Sequence, residues 1–405
     1  MDYGKRQTVN ILIVKLSAIG DVIHTLPSLA ALRRCYPDAD ISWVVEEAAA
    51  DLLTGNPDLN RVIVSGRKRW IRELRLGRIA APLREMLAFF KEIRCRPYDL
   101  VIDFHGLLKS AAIVLFSGGR RKLGYDSLQE GSGLFYNEKI HEQMGKHAVD
   151  RYLDFVRYLA GDPDGRNAAC LKGPQEFSIA VGETEQRRVA ALLDEHKEIL
   201  NVADNGGGGR REPQTGKPFI AVNPVALWET KLWEDEKFAE LCDRIRQELG
   251  IGIILTGSDA APLERIREQM KTDAVNLGGR TTLRELACLY SQATLLVTTD
   301  SGPMHLAAAM GTPVVALFGP TDPARTGPYG PGHRVIRRAL SCAPCLRKRC
   351  NNPRCMTEIS VEEVFDGLTK VLNAEDQGLS KTISPIKALG DDKNTQYSVL
   401  STMFL

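Results

Sequence analysis

Lys15-Leu16-Ser17-Ala18-Ile19-Gly20-Asp21 lies between a short apolar run, Ile11–Val14, and an amphipathic stretch from about Val22 to Cys35. A strand that runs into a helix this way puts the intervening turn at the carboxyl end of a sheet strand, where open α/β sheets bind ligands. Gly20 lets a substrate approach the backbone, and Asp21 places a carboxylate at the helix start. That carboxylate can work on a proton, or it can cap the helix, a role worth about 1 kcal/mol. A second such stretch, Thr298-Thr299-Asp300-Ser301-Gly302-Pro303-Met304-His305, follows the apolar run Leu295–Thr298. Pro303 suits the first turn of a helix. The N–H groups of Ser301, Gly302 and Met304, together with the helix dipole, make an anion site fit for a pyrophosphate. His305 projects from that turn, either toward the anion or against the neighbouring sheet. Gly319-Pro320-Thr321-Asp322-Pro323 and Gly327-Pro328-Tyr329-Gly330 add further loops on the same expected edge. Neither main turn carries G-x-G-x-x-G, which argues against a dinucleotide oxidoreductase.

Positioning these turns needs strands that alternate with helices. Ile11–Val14, Ile41–Val45 and Leu100–Asp103 read as strands in the first half. Phe219–Val222, Gly252–Leu255, Leu295–Thr298 and Val314–Phe318 read as strands in the second, with helical stretches between them. That rhythm predicts parallel α/β sheets, and its two blocks predict two domains. The expected domains are residues 1–175 and 176–373, with a Gly-rich excursion at 201–217 and a disordered tail at 374–405. The 405 residues are 43% hydrophobic and 26% charged, the balance of a globular enzyme. A net charge of +2 gives no whole-molecule attraction to nucleic acid. No apolar run reaches the roughly 18 residues of a membrane helix, and Met1–Lys15 does not read as a signal peptide. The nine cysteines are therefore expected to be reduced thiols in a cytosol.

Two further stretches carry chemistry. From Arg67 to Arg96 there are ten Lys or Arg residues against three Glu, interleaved with apolar residues. This basic amphipathic pattern fits a membrane-surface helix, or a helical pair packed on its own domain with a solvated basic face. Arg67, Lys68 and Arg69 lead it, and Arg120-Arg121-Lys122 could extend the same surface. Cys342, Cys345, Cys350 and Cys355 follow the spacing C-x2-C-x4-C-x4-C. They form a candidate structural zinc site, although the second pair lacks the usual C-x2-C knuckle. Free thiols in a surface loop are the alternative.

Taken together, Lys15–Pro27, Trp43–Glu47, Ile102–Ala111, Lys231-Leu232-Trp233, Asp300–His305 and Gly319–Pro323 resemble family 9 glycosyltransferases, the ADP-heptose:lipopolysaccharide heptosyltransferases. The resemblance runs from about Asn10 to Leu372, and its early motifs look most like the type I enzymes. It implies a GT-B fold: two Rossmann-like domains with parallel sheets facing a cleft, acceptor on the N-terminal side and nucleotide sugar on the C-terminal side. Asp21 would then be the general base and Lys231 the group that stabilises the departing diphosphate. Asp300, Ser301, Gly302 and His305 would hold the donor, Glu264 its ribose, and Lys109 would join the acceptor-binding residues. ADP-heptose and Kdo-lipid A are the implied partners, with no required cofactor and a peripheral place on the cytoplasmic face of the inner membrane. The Cys342–Cys355 segment is more like the type II enzymes, which add the second heptose. Ala226–Thr230 departs from the Thr-bearing type I pattern before Lys231. A non-catalytic nucleotide-sugar binder on the same fold is the third alternative, and it would need neither Asp21 nor Lys231.

Overall fold

The computed structural model describes residues 8–127, 129–162, 168–201, 219–376 and 396–397. Contacts divide the chain into one unit of Met1–Ala180 with Leu389–Leu405 and a second of Val181–Ala388. Of the Gly-rich excursion, residues 202–217 lie outside the described residues. Of the tail expected to be disordered from Ala374, the last helix takes residues up to Asp376 and a two-residue strand takes Gln396–Tyr397. The rest of that tail lies outside the described residues.

The first unit is built on β1 (Asn10–Val14), β2 (Asp40–Glu46), β3 (Arg61–Ser65), β4 (Leu100–Asp103), β5 (Arg121–Tyr125) and β6 (Glu138–Ile140). Their order is β3-β2-β1-β4-β5-β6, all parallel, with Gln396–Tyr397 added beside β3. Ile11–Val14 and Val101–Asp103 are fully buried, as strands covered on both faces must be. The helix Ile19–Cys35 covers one face and packs on the helix Ala148–Leu159.

The second unit contains β7 (Phe219–Asn223), β8 (Gly252–Leu255), β9 (Val275–Asn276), β10 (Leu295–Thr299), β11 (Val314–Phe318) and β12 (Arg334–Arg337). Their order, β9-β8-β7-β10-β11-β12, is again wholly parallel. Counted within each unit, both sheets have the doubly wound order 3-2-1-4-5-6. The strand order therefore reverses between β1 and β4 in one unit and between β7 and β10 in the other. The loops after those four strands are where such a sheet opens a crevice.

One expectation about the cysteines is corrected. Cys35, at the end of the helix Ile19–Cys35, is disulfide-bonded to Cys170, with their Cα atoms 5.1 Å apart. The other seven cysteines are free. The partners are 135 residues apart in sequence, so only the folded chain brings them together.

Candidate active site

In the first unit the loops after β1, β2, β3 and β4 share the carboxyl edge. Asp21 stands in the first turn of the helix Ile19–Cys35, half-buried, and its Oδ2 accepts the Ala18 N–H at 3.2 Å. Ala18 is therefore the N-cap and Asp21, at the third helical position, reaches back to it as in a capping box, with the carboxylate still partly accessible. Lys109 emerges after β4 and donates to Ser17 Oγ at 3.3 Å, beside the same turn. The loop before Lys109 is shaped by buried Asp103, which accepts from the His105 and Gly106 N–H groups at 2.8 and 3.1 Å. Gly106 has φ +68°, the left-handed region that glycine enters without strain.

Arg67, Lys68 and Arg69 start the helix that follows β3, also at this edge. Glu46 at the end of β2 receives Arg67 at 2.8 Å and Lys68 at 3.0 Å. Burial would raise the Glu46 pKa, but these two cations hold it below the usual carboxylate value. Arg69 pairs with Glu47 at 3.0 Å and Glu85 at 2.7 Å. Burial, and then the charges of Lys15, Lys109 and Arg67, depress the His105 pKa to about 2, so this ring is neutral. Lys109 and the Arg67, Lys68 and Arg69 cations thus leave the same sheet edge as Asp21, the last three already paired with Glu46, Glu47 and Glu85.

Arg120, Arg121 and Lys122 do not belong to it. Arg121 opens β5 and is in register with Leu100 and, through it, Ile11, so this trio sits at the amino ends of the strands. The parallel direction of β5 carries it away from Asp21, and the expectation that it extends the surface led by Arg67 is corrected. Arg121 instead makes two bonds to Glu138 at 2.7 and 2.8 Å, and Arg120 lies 3.8 Å from Asp99.

In the second unit the loops after β7 and β10 converge on one ion pair. Lys231 Nζ lies 2.6 Å from Asp300 Oδ2 and 4.6 Å from the centre of the Trp228 ring. Asp300 is 5% exposed and also accepts the Thr321 hydroxyl, from the loop after β11, at 2.5 Å. Ser301 precedes the helix Gly302–Ala309 in extended conformation without capping it. Its hydroxyl meets Thr298 Oγ1 at 3.3 Å, leaving the first N–H groups of the helix without a side-chain cap. Those groups and the helix dipole favour an anion. His305 is buried in the first turn of that helix.

A cavity of about 360 Å³ opens at the carboxyl ends of β7 and β8, lined by Val225, Ala226, Ser258, Asp259, Pro262 and Arg265 among others. Glu264 does not line it. Its carboxylate pairs with Arg267 and accepts from Asn276 at 3.1 Å. Thr230, the hydroxyl nearest Lys231 in sequence, donates to the Arg347 carbonyl at 2.7 Å. The Cys345 and Leu346 N–H groups bind the Pro320 carbonyl, at 3.1 and 2.9 Å. The cysteine segment is thereby pinned against the Lys231 turn. Cys342 and Cys350 are exposed, and among the described residues no three His, Cys, Asp or Glu are placed to hold a metal together. The Cys355 thiol has those of Cys345, Cys342 and Cys350 as electrostatic neighbours, and burial and then their charge push its pKa up.

Sequence reasoning gave no role to Lys15, Glu46, Tyr152, Trp228 or Thr321. Lys15 and Glu46 stood inside motifs already singled out, whereas Tyr152 lies in an ordinary amphipathic helix with no local signal.

Two doubly wound parallel units, each with charged loops at its switch point, are the parts of a GT-B glycosyltransferase. The chain matches the sequence profile of glycosyltransferase family 9 (heptosyltransferase) over residues 86–356. It is 30% identical to lipopolysaccharide heptosyltransferase 1 of Pseudomonas aeruginosa over 386 residues, which cover 90% of this chain and 99% of that one. Among solved structures it resembles the E. coli heptosyltransferase WaaC with ADP at TM-score 0.68 and 25% identity, covering 90% of this chain and all of that one. It also resembles a family 9 glycosyltransferase of Veillonella parvula at TM-score 0.73 and 23% identity, covering 90% and 97%. The chain belongs to glycosyltransferase family 9, the heptosyltransferases, and is a glycosyltransferase by that membership.

Proposed function

We propose that this enzyme transfers heptose from ADP-L-glycero-D-manno-heptose to the Kdo-lipid A inner core, with inversion at the anomeric carbon. The observation that carries the reading is that chemistry-bearing loops meet at the switch point of each sheet: Asp21 and Lys109 at one, Lys231 and Asp300 at the other. Similarity to proteins named heptosyltransferase 1 supports the choice of acceptor. Asp21 takes the proton of an acceptor hydroxyl as its oxygen attacks the anomeric carbon. The bond to the ADP β-phosphate breaks, and charge grows on the leaving diphosphate. The Lys231 ammonium and the uncapped N–H groups at Gly302 meet that charge, the kind of preorganised stabilisation that lowers such barriers most. Asp300, Ser301 and His305 hold the donor, and Glu264 is the weakest member of that set because Arg267 and Asn276 already engage it. No metal is assigned a step.

Arg67, Lys68, Arg69 and Lys109 are the proposed contacts for the acidic acceptor, since they follow β3 and β4 at the carboxyl edge where Asp21 follows β1. Arg120, Arg121 and Lys122 are left out of that set. The deciding assay offers ADP-heptose, with EDTA present, to Kdo-lipid A with and without the first heptose. Turnover on the unheptosylated acceptor is the expected result. Turnover only on the heptosylated one establishes the type II alternative, and turnover on neither overturns heptosyl transfer.

Gly302→Val is expected to weaken ADP binding about ten-fold or more, a loss of roughly 1.4 kcal/mol. A branched side chain there blocks close approach of phosphate to the helix start. Calorimetry with ADP reads this directly, and unchanged affinity places the nucleotide elsewhere.

No helix among the described residues is long and apolar enough to cross a membrane. We propose instead a peripheral seat on the cytoplasmic face of the inner membrane, through the helices Arg67–Arg75 and Ala80–Ile93 and their connection. Trp70, Phe89 and Ile93 are buried inward, while Leu76, Ile79, Leu83 and Leu87 are all more than half exposed. The Arg72 and Arg78 side chains of the same segment, 69% and 70% exposed, share the single carboxylate of Glu73, which leaves positive charge over. Leu83→Ser with Leu87→Ser is expected to lower partitioning onto anionic vesicles about ten-fold or more, since each buried methylene contributes about 0.8 kcal/mol. Sedimentation with vesicles at low salt measures this, and unchanged partitioning removes the surface from the proposal.

A further inference from the structure

The segment from Arg337 to Arg354 carries six Lys or Arg residues and no Asp or Glu. Four of the six face a carboxylate: Arg337 with Asp322, Arg338 with Glu363, Arg349 with Glu229 and Arg354 with Glu358. Arg347 and Lys348 have no carboxylate partner among the described residues. These two are also the residues held against the Lys231 turn. The Arg347 carbonyl accepts the Thr230 hydroxyl at 2.7 Å, and the Lys348 ammonium lies 5.5 Å from the centre of the Trp228 ring. That same ring has the Lys231 ammonium at 4.6 Å. Leu346, just before them, takes φ +56°, an uncommon region for a residue other than glycine. Its N–H is bound to the Pro320 carbonyl at 2.9 Å. Backbone in such a region persists only where its surroundings impose it, so the loop is held in place where its unpaired charge meets Trp228.

We propose that Lys348, seated on Trp228, is a second cation for the donor diphosphate, beside Lys231. This rests on the reading of the Lys231 turn as the diphosphate site. Lys231 is already matched in charge, because Asp300 lies 2.6 Å from it and is 5% exposed. A diphosphate ester brings negative charge on both phosphate groups, and more develops as the glycosidic bond breaks. The Lys231–Asp300 pair has no net charge to set against it, whereas Lys348 does. An ammonium over an indole face is attracted by the ring without losing its charge. Trp228 therefore holds the Lys348 cation near Lys231 and leaves it available to a ligand. The flexible four-carbon stem of lysine lets the ammonium pass from the ring to a phosphate. A lysine that served only solubility could stand anywhere on this segment. What sets Lys348 apart is the ring it shares with Lys231.

The test is calorimetry with ADP, at low and at high salt, on Lys348→Gln, Lys348→Arg and Arg349→Gln, with the KM for ADP-heptose measured on each. Lys348 and Arg349 are both exposed, so these changes spare the fold. Lys348→Gln is expected to weaken ADP binding about five-fold at low salt, the upper end for one exposed ion pair. The KM for ADP-heptose rises with it. The loss shrinks at high salt, because exposed charges are screened. Lys348→Arg keeps both the charge and the stacking on Trp228, so it returns ADP affinity to within about two-fold of the parent. Arg349→Gln removes the same charge one position away, where Glu229 already pairs with it, and leaves ADP affinity within about two-fold. A Lys348→Gln enzyme that binds ADP like the parent, or loses no more than Arg349→Gln, overturns the proposal. Gly302→Val reports on the underlying reading. If Gly302→Val weakens ADP binding and Lys348→Gln does not, the Lys348 proposal fails alone. If neither does, the nucleotide lies elsewhere and both fail.

Discussion

Asp21→Asn will lower turnover by about 100-fold or more, with ADP affinity and melting temperature close to those of the parent. Asparagine keeps an oxygen that can accept the Ala18 N–H, now bound at 3.2 Å, so the helix start keeps its partner. What is lost is the ability to take a proton as the acceptor oxygen attacks. A cap contributes about 1 kcal/mol to stability, so unfolding alone cannot account for the expected fall. Steady-state turnover with ADP-heptose, alongside thermal melting, separates the two roles. A well-folded Asn variant with near-normal turnover leaves Asp21 only as a cap.

Lys231→Ala is the second large effect, and it acts twice. If the ammonium resembles one preorganised donor on the departing charge, its loss raises the barrier by about 2–4 kcal/mol. The same change leaves Asp300 buried without its cation, with the Thr321 hydroxyl as a remaining partner. Breaking a buried pair from one side destabilises a fold by about 3–5 kcal/mol. A lower melting temperature will therefore accompany the lower turnover. Lys231→Met with Asp300→Asn removes both charges, so it will recover most of the stability and little of the turnover. Recovery of turnover in that double variant would reduce Lys231 to a structural partner of Asp300.

Much of the fold can be read from local pattern. Leu100–Asp103, Gly252–Leu255 and Val314–Phe318 are continuous apolar runs and form the strands expected of them. β5, which starts Arg-Lys, and β12, Arg-Val-Ile-Arg at the edge of its sheet, escaped notice because their charged ends interrupt the apolar run. The basic stretch illustrates a different limit. Its composition suggests free charge, whereas Glu46, Glu47 and Glu85 take up Arg67, Lys68 and Arg69. The segment instead exposes apolar residues at Leu76, Ile79, Leu83 and Leu87.

The sequence by itself determined the two strand–turn–helix units at Asp21 and at Asp300, because burial, helix entry and an uncapped N-terminus are properties of neighbouring residues. Only the tertiary structure decided what those units meet. It brought Tyr152 to Lys15 across 137 residues, closed Cys35 on Cys170 and set Lys231 against Asp300. It also sent Arg120, Arg121 and Lys122 to the far end of the first sheet. The physical reason is strand order. A parallel sheet gives every strand the same direction, so the edge on which a loop emerges follows from which end of a strand it leaves. Which loops then become neighbours follows from the crossovers between strands, and no local window of residues contains that information.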